Sequence, residues 1–332
     1  MTRKDTVLVL GASGGIGGEV ARQLRDAGWQ VRALKRGAAQ AETRKDGITW
    51  LAGDAMDRQA VTRAAKGCAV IVHAVNPPGY RGWAQLVLPM LDNTIAAARA
   101  EGATIVLPGT VYNFGPDAFP LLKEDSPQHP VTRKGAIRVE MERRLEAASR
   151  DGGARVLIVR AGDFFGPKPG NNWFSQGLVK AGQPVQAVSY PGRPGMGHQW
   201  SYLPDVARTM VELLARRDRL EPFARFHMAG HWDADGTRMS GAIRKVVARR
   251  TGADAPRVSA FPWWLLTLAS PFVTTFREMR EMRYLWQTPV AMDNTKLVAF
   301  LGREPHTPLE EAVEAALEGM GSLAAAPVAV PA

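Results

Sequence analysis

"VLVLGASGGIGGEVARQL", residues 7–24, decides how the chain folds. Its first four residues are all apolar and read as a strand buried on both faces, while "EVARQLRDAG" repeats apolar residues at helical spacing. Between them stand Gly11, Gly14 and Gly17. At a strand–turn–helix junction each glycine has its own task. Gly11 permits the tight turn, Gly14 lets the backbone approach a pyrophosphate seated on the helix N-terminus, and Gly17 lets helix and strand pack closely. Three glycines alone are a weak signal, but strand, turn, helix and second strand in that order make a strong one. Ser13, Gly15 and Ile16 of the same turn join them as candidate contacts to a dinucleotide.

The alternation continues along the chain. Apolar runs at 6–11, 30–34, 48–53, 69–75, 104–109 and 155–160 are separated by helical patterns, one of which, "LVLPMLDNTIAAARAEG", stops on Gly102. Strands apolar on both faces predict a parallel sheet covered on both sides: an α/β, Rossmann-type doubly wound domain over residues 1–165. From residue 166 the texture changes. "GPKPGNNWF" and "YPGRPGMGHQW" are too irregular for strands and too apolar for linkers, so they read as loops over a site. A smaller, substrate-covering part is expected over 166–322, with segments such as 200–230 returning to the sheet. It carries a helix starting near Leu203, a strand at 225–230 and helices at 237–250, 263–284 and 308–319. The tail 323–332 has no pattern and reads as disordered.

Composition narrows the function. At 332 residues with 45% apolar side chains, the chain builds a sizeable core. Its single cysteine, Cys68, allows no internal disulfide, and no Cys/His cluster has metal-ligand spacing; no metal is expected, and the expected setting is a reducing cytoplasm. Two basic residues lead straight into the first strand, without a secretory segment. The longest apolar run, "FPWWLLTLASPFV" at 261–273, is shorter than the roughly 20 residues a membrane span needs. It reads as core, with a place on a membrane surface or over an apolar ligand as the alternatives. The net charge of +10 is spread over the whole chain without an arm or a nucleic-acid signature, which points to small anionic ligands rather than nucleic acid.

The second strand ends "RALKRG". An adenosine ribose with free hydroxyls usually meets a carboxylate at this place, whereas Lys35 and Arg36 suit a 2′-phosphate. NADP is therefore the expected cofactor and NAD the alternative. Asp54, after the third strand with Ala55, is placed to accept from the adenine amino group or to cap a helix.

The glycine turn, "GD" at 53–54, "VHAVNPP", "RAGDFFGP" and "HQWSYLPDVA" together resemble the extended or atypical short-chain dehydrogenase/reductase superfamily, in its NAD(P)-dependent epimerase/dehydratase branch. The resemblance covers nearly the whole chain and implies a nicotinamide cofactor across the carboxyl ends of the strands, touching Ala74, Val75 and Asn76. It also implies a small-molecule carbonyl or alcohol substrate under the second part, and leaves a homodimer open. Thr110 falls on the family's Ser/Thr position. Lys134 and Arg138 fall where the family has its catalytic tyrosine and lysine, so the usual pair is replaced.

On the helix that holds them, Lys134, Ile137, Arg138, Met141, Leu145 and Ala148 share one stripe about 100° wide, with Glu140, Glu142 and Glu146 flanking or opposite. Two cations on an apolar face at a helix start cost about 0.3–1 kcal/mol each unless something offsets them. Arg138 suits ribose hydroxyls or a phosphate. Lys134, its charged form disfavoured by a cationic neighbour and the helix N-terminus, suits proton transfer. The alternative is snorkelling of both heads to water. Tyr112 is the rival proton donor; Asp163, Asn172, His198, Trp200 and Tyr202 are the expected substrate contacts. Two functions follow: an NADP(H)-dependent oxidoreductase or epimerase-like enzyme acting on a carbonyl or secondary alcohol of a small, apolar substrate, or a cofactor-binding sensor without turnover.

Overall fold

The computed structural model describes residues 5–77, 82–150, 152–168, 170, 172–271 and 273–323. From residue 324 on, the predicted tail lies outside them. In chain order come β1 (Thr6–Leu10), α1 (Gly15–Asp26), β2 (Gln30–Lys35), β3 (Glu42–Lys45) and β4 (Ile48–Ala52). Next are α2 (Arg58–Ala65), β5 (Val70–His73), α3 (Trp83–Glu101), β6 (Thr104–Gly109), β7 (Leu121–Leu122), α4 (Arg133–Arg150) and β8 (Arg155–Arg160). Then follow β9 (Asp163–Phe165), β10 (Ala187–Tyr190), β11 (His198–Tyr202), α5 (Leu203–Leu214), β12 (Phe223–His227), β13 (His231–Asp233), α6 (Arg238–Thr251) and β14 (Arg257–Ala260). The last helices are α7 (Trp263–Ala269), α8 (Thr274–Glu281), α9 (Thr295–Leu301) and α10 (Leu309–Gly319).

The chain divides into two compact units, and the first holds residues 1–162, 203–229 and 292–305. Its sheet has the order β12-β8-β6-β5-β1-β2-β4-β3. Val7 to Leu10, Val70 to Val72, Ile105 to Leu107 and Val156 to Val159 are all buried, as strands covered on both faces must be. The chain leaves β1 toward β2 on one side and returns to β5 on the other. The crevice where strand order reverses therefore opens beside the carboxyl end of β1, where α/β sheets bind ligands.

Three expectations need correction here. The sheet is not wholly parallel: β3 runs antiparallel to β4 at one edge, and all four of its residues are exposed, so no apolar pattern announced it. The helix read over 263–284 is broken into α7, α8 and a 3₁₀ turn at Met282–Trp286, with Pro271 between the two helices. Nor is "YPGRPGMGHQW" all loop, since its last three residues open β11.

The second unit holds residues 163–202, 230–291 and 306–332. Its strands form a three-stranded sheet in the order β13-β11-β9 and a parallel pair, β10 with β14. All five residues of β11 are buried. Among the described residues no helix is long and apolar enough to cross a membrane, and no group of three His, Cys, Asp or Glu side chains is placed to hold a metal ion.

Candidate active site

The glycine turn after β1 is built by contact. Gly11 has φ +91, and a Cβ there would lie 2.4 Å from the Ala74 carbonyl oxygen, in the loop that follows β5. A Cβ on Gly17 would lie 2.3 Å from the Gly11 carbonyl oxygen. Neither position accepts a side chain. Gly14 is the N-cap of α1, without a side-chain cap and without an acidic residue in the first turn. No carboxylate of the helix's own cap or first turn competes for its first N–H groups, as suits an anion site. Ser13 and Gly14 are exposed, Gly15 and Ile16 half-buried.

Around the turn lie the other predicted cofactor contacts. Lys35 and Arg36 are exposed at the end of β2, with the Lys35 ammonium 5.9 Å from the Trp50 ring centroid. The Gly53 N–H donates to the Lys35 carbonyl at 3.1 Å, which sets Asp54 beside the end of β2. Asp54 accepts from the Met56 N–H at 2.9 Å, while the cap of α2 is Asp57, accepting from Gln59 and Ala60. The helix-cap alternative for Asp54 is thereby overturned. Ala55 is buried; Ala74 and Val75 are half-buried, and Asn76 is exposed. Trp83 Nε1 donates to Asn76 Oδ1 at 2.5 Å, and the Arg138 guanidinium lies 5.3 Å from the Trp83 ring centroid. Burial, and after it the Arg138 charge, pushes the His73 imidazole at the end of β5 down to about 3. The Arg138 charge is therefore felt at the carboxyl end of β5.

The start of α4 and the loop after β6 are brought together at a glycine, Gly135. Thr132 caps α4, its Oγ1 accepting from the Gly135 N–H at 3.0 Å. A Cβ on Gly135 would lie 2.2 Å from the Tyr112 carbonyl oxygen, so the first turn of α4 rests directly on the loop that carries Thr110 and Tyr112. Lys134 is 3% exposed, which removes snorkelling as its explanation; Arg138 and Tyr112 are half-buried. The Thr110 hydroxyl donates to Asn113 Oδ1 at 3.5 Å and accepts from the Tyr112 N–H at 3.4 Å.

Beneath this loop is a buried polar cluster the sequence did not announce. Glu142, expected to flank the apolar stripe, is 5% exposed and takes both oxygens to Arg160 Nη2, at 2.7 and 2.8 Å. Asn113 and Gln128 each donate to Glu142 at 2.9 Å. Arg160 also donates to the Thr110 carbonyl and to His227 Nε2. Burial, and then Arg160, pushes His227 down to about 3, so it stays neutral and accepts. The spacing of Glu142 four residues after Arg138 was the available signal.

In the second unit, His198 Nε2 meets Asp163 Oδ2 at 2.9 Å. Asn172 Oδ1 accepts from the Ser175 N–H at 2.8 Å, and Trp200 and Tyr202 are buried within the unit's aromatic side chains.

Residues 7–229 match the model of the NAD dependent epimerase/dehydratase family. A 3-diazoavenalumate denitrifying reductase from a Streptomyces species is 32% identical over 184 residues, covering 49% of this chain and 58% of that protein. A (4-alkanoyl-5-oxo-2,5-dihydrofuran-3-yl)methyl phosphate reductase from Streptomyces griseus is 28% identical over 208 residues, covering 58% of this chain and 64% of that one. The matches thus span under two thirds of either relative. Among solved structures, UDP-glucose 4-epimerase from Brucella ovis in complex with NAD superposes with TM-score 0.73 at 15% identity, covering 96% of this chain and 98% of that one. The Bordetella bronchiseptica enzyme WbmH in complex with NAD+ gives TM-score 0.68 at 18% identity, covering 96% and 98%. The fold is therefore that of these structures. With the family model matched over two thirds of this chain, and the glycine cradle at the sheet's switch point in place, the chain belongs to the NAD dependent epimerase/dehydratase family.

Proposed function

We propose that the protein is an NADP(H)-dependent reductase acting on the carbonyl group of a small, apolar molecule. The chain fits the dinucleotide: Gly11 and Gly17 leave no room for a side chain, and α1 begins without an acidic residue. Gly11, Ser13, Gly14, Gly15, Ile16 and Gly17 would hold the pyrophosphate, Lys35 and Arg36 the 2′-phosphate, and Asp54 with Ala55 the adenine. Ala74, Val75, Asn76 and Arg138 would hold the nicotinamide ribose. When bound, the cofactor supplies the hydride. Thr110 orients the substrate oxygen by hydrogen bonding, and Lys134 delivers the proton that oxygen takes up; Tyr112 is the second donor on the same loop. Both curated relatives carry the name of reductases, which favours reduction over epimerisation.

The single observation that carries the reading is the burial of Lys134 in the first turn of α4, next to Gly135, whose backbone rests on the Tyr112 carbonyl. A lysine is almost never fully enclosed unless it is paired, and charged groups enclosed beside a cleft are candidates for a functional site. The test is Lys134→Met, assayed for NADPH oxidation against a panel of ketones and enones. Turnover should fall by about 100-fold or more, the usual scale of general acid catalysis, with NADPH affinity changed by no more than about twofold. An undiminished kcat would remove Lys134 from the mechanism.

A further inference from the structure

Among its described residues the second unit holds a group of buried donors without an acceptor. Among the described residues, Tyr190 Oη, Trp200 Nε1 and Trp286 Nε1 are all enclosed and without a hydrogen-bond partner. Tyr190 is 7% exposed, Trp200 0% and Trp286 2%. They belong to one ring cluster centred on Trp286, whose centroid is 5.9 Å from that of Tyr190 and 5.7 Å from that of Trp200. The fourth member is His198, stacked on Trp286 at 3.7 Å and paired with Asp163. Buried donors are nearly always paired, so three orphans around one ring are a feature that needs an acceptor.

Charge and space describe that acceptor. Burial first, and then the Asp233, Asp235 and Asp163 carboxylates, push the Tyr190 phenol well above its usual range, so it remains a donor. The same carboxylates make the surroundings hostile to an anion. A Cβ on Gly236 would lie 2.8 Å from the Tyr190 hydroxyl and one on Gly192 3.3 Å from it, so two glycines keep side chains off this oxygen. Tyr190 meets Trp286 edge-on at 88°, Trp200 is tilted to it at 58° and His198 is stacked on it, a set of ring faces and edges that suits a flat partner. We infer that the Tyr190–Trp200–Trp286 cluster is a binding site for an uncharged, flat ligand carrying a carbonyl oxygen, such as an aromatic ketone or lactone. This deepens the reductase reading, on which it rests, by naming the substrate class and setting nucleotide sugars aside.

The experiment is calorimetric titration of the full chain, without NADPH, by four probes: α-tetralone, tetralin, 1-naphthoate and UDP-glucose. α-Tetralone should bind, with the hydrocarbon, the carboxylate and the nucleotide sugar each about tenfold weaker or worse, since a lost or repelled hydrogen bond to a buried donor is worth that much. Tyr190→Phe should weaken α-tetralone about fivefold, the scale of one hydrogen bond, while the melting temperature of the free protein holds or rises because an orphaned hydroxyl has gone. Trp286→Phe, the second variant, should act in the same direction. Equal binding of α-tetralone and tetralin, tighter binding of either anion, or a Tyr190→Phe protein that binds as before would overturn the site. A melting temperature that falls instead would make these groups structural. NADPH titrated separately judges the cofactor reading, so the two failures are told apart.

Discussion

At the carboxyl end of β2 the sign of two side chains selects between dinucleotides. A carboxylate there would accept from free ribose hydroxyls and repel a 2′-phosphate; Lys35 and Arg36 do the reverse. Both are exposed, so neither is fixed by packing, although the Lys35 ammonium lies over the Trp50 ring. The solved structures of the same fold hold NAD, but at 15% and 18% identity they speak for the fold and not for the residue at this position. Lys35→Ala combined with Arg36→Ala should weaken NADPH roughly 10- to 100-fold, the worth of about 1.5–3 kcal/mol in charged hydrogen bonds, and leave NADH nearly unchanged. Fluorescence titration of both cofactors measures it. Equal losses for the two would mean that these cations only feel the pyrophosphate.

Helix α4 does two jobs on one face, and only one of them shows in its sequence. Ile137, Met141, Leu145 and Ala148 bury as the helical repeat predicts, and Lys134 goes in with them. Glu142 goes in as well because Arg160, at the end of β8, is fully buried and needs both its oxygens. Removing one partner of such a pair strands a charge, so Glu142→Ala should cost about 3–5 kcal/mol in urea unfolding at pH 7. A loss below about 1 kcal/mol would show the pair to be solvated in solution. The glycine turn, six strands of the sheet and the buried stripe of α4 were legible because their signals are local: apolar runs, a glycine triplet, residues three and four apart. What was not legible depends on distant partners. Glu142 carries an ordinary surface residue's signal until Arg160 is beside it, β3 is an edge strand whose every side chain is exposed, and Trp286 shows its role only where Tyr190, Trp200 and His198 surround it.

Over the whole chain, buried histidines set the response to acid. His73 and His227 in the first unit are pushed down to about 3 and His231 in the second to about 4, each by burial first. Arg138 adds to it for His73, Arg160 for His227 and His306 for His231. A folded-state value below the unfolded one means that the unfolded chain binds more protons between the two. Stability from these groups is then complete above about pH 6.5 and drains away as pH falls toward the folded-state values, each histidine contributing up to about 1.4 kcal/mol per pH unit. Paired carboxylates enter later: Glu140, held down to about 2 first by its hydrogen bond to Arg143, stabilises above its unfolded value near 4.3 and loses that only below it. The window between pH 6.5 and about 4.5 therefore belongs to the histidines. Urea midpoints should be level from pH 8 to 7 and decline steadily from 6.5 to 5, while His227→Gln, which cannot take up the proton, should decline less steeply by about one histidine's share. An unchanged midpoint at pH 5 would mean that these imidazoles reach water and titrate as free histidines do.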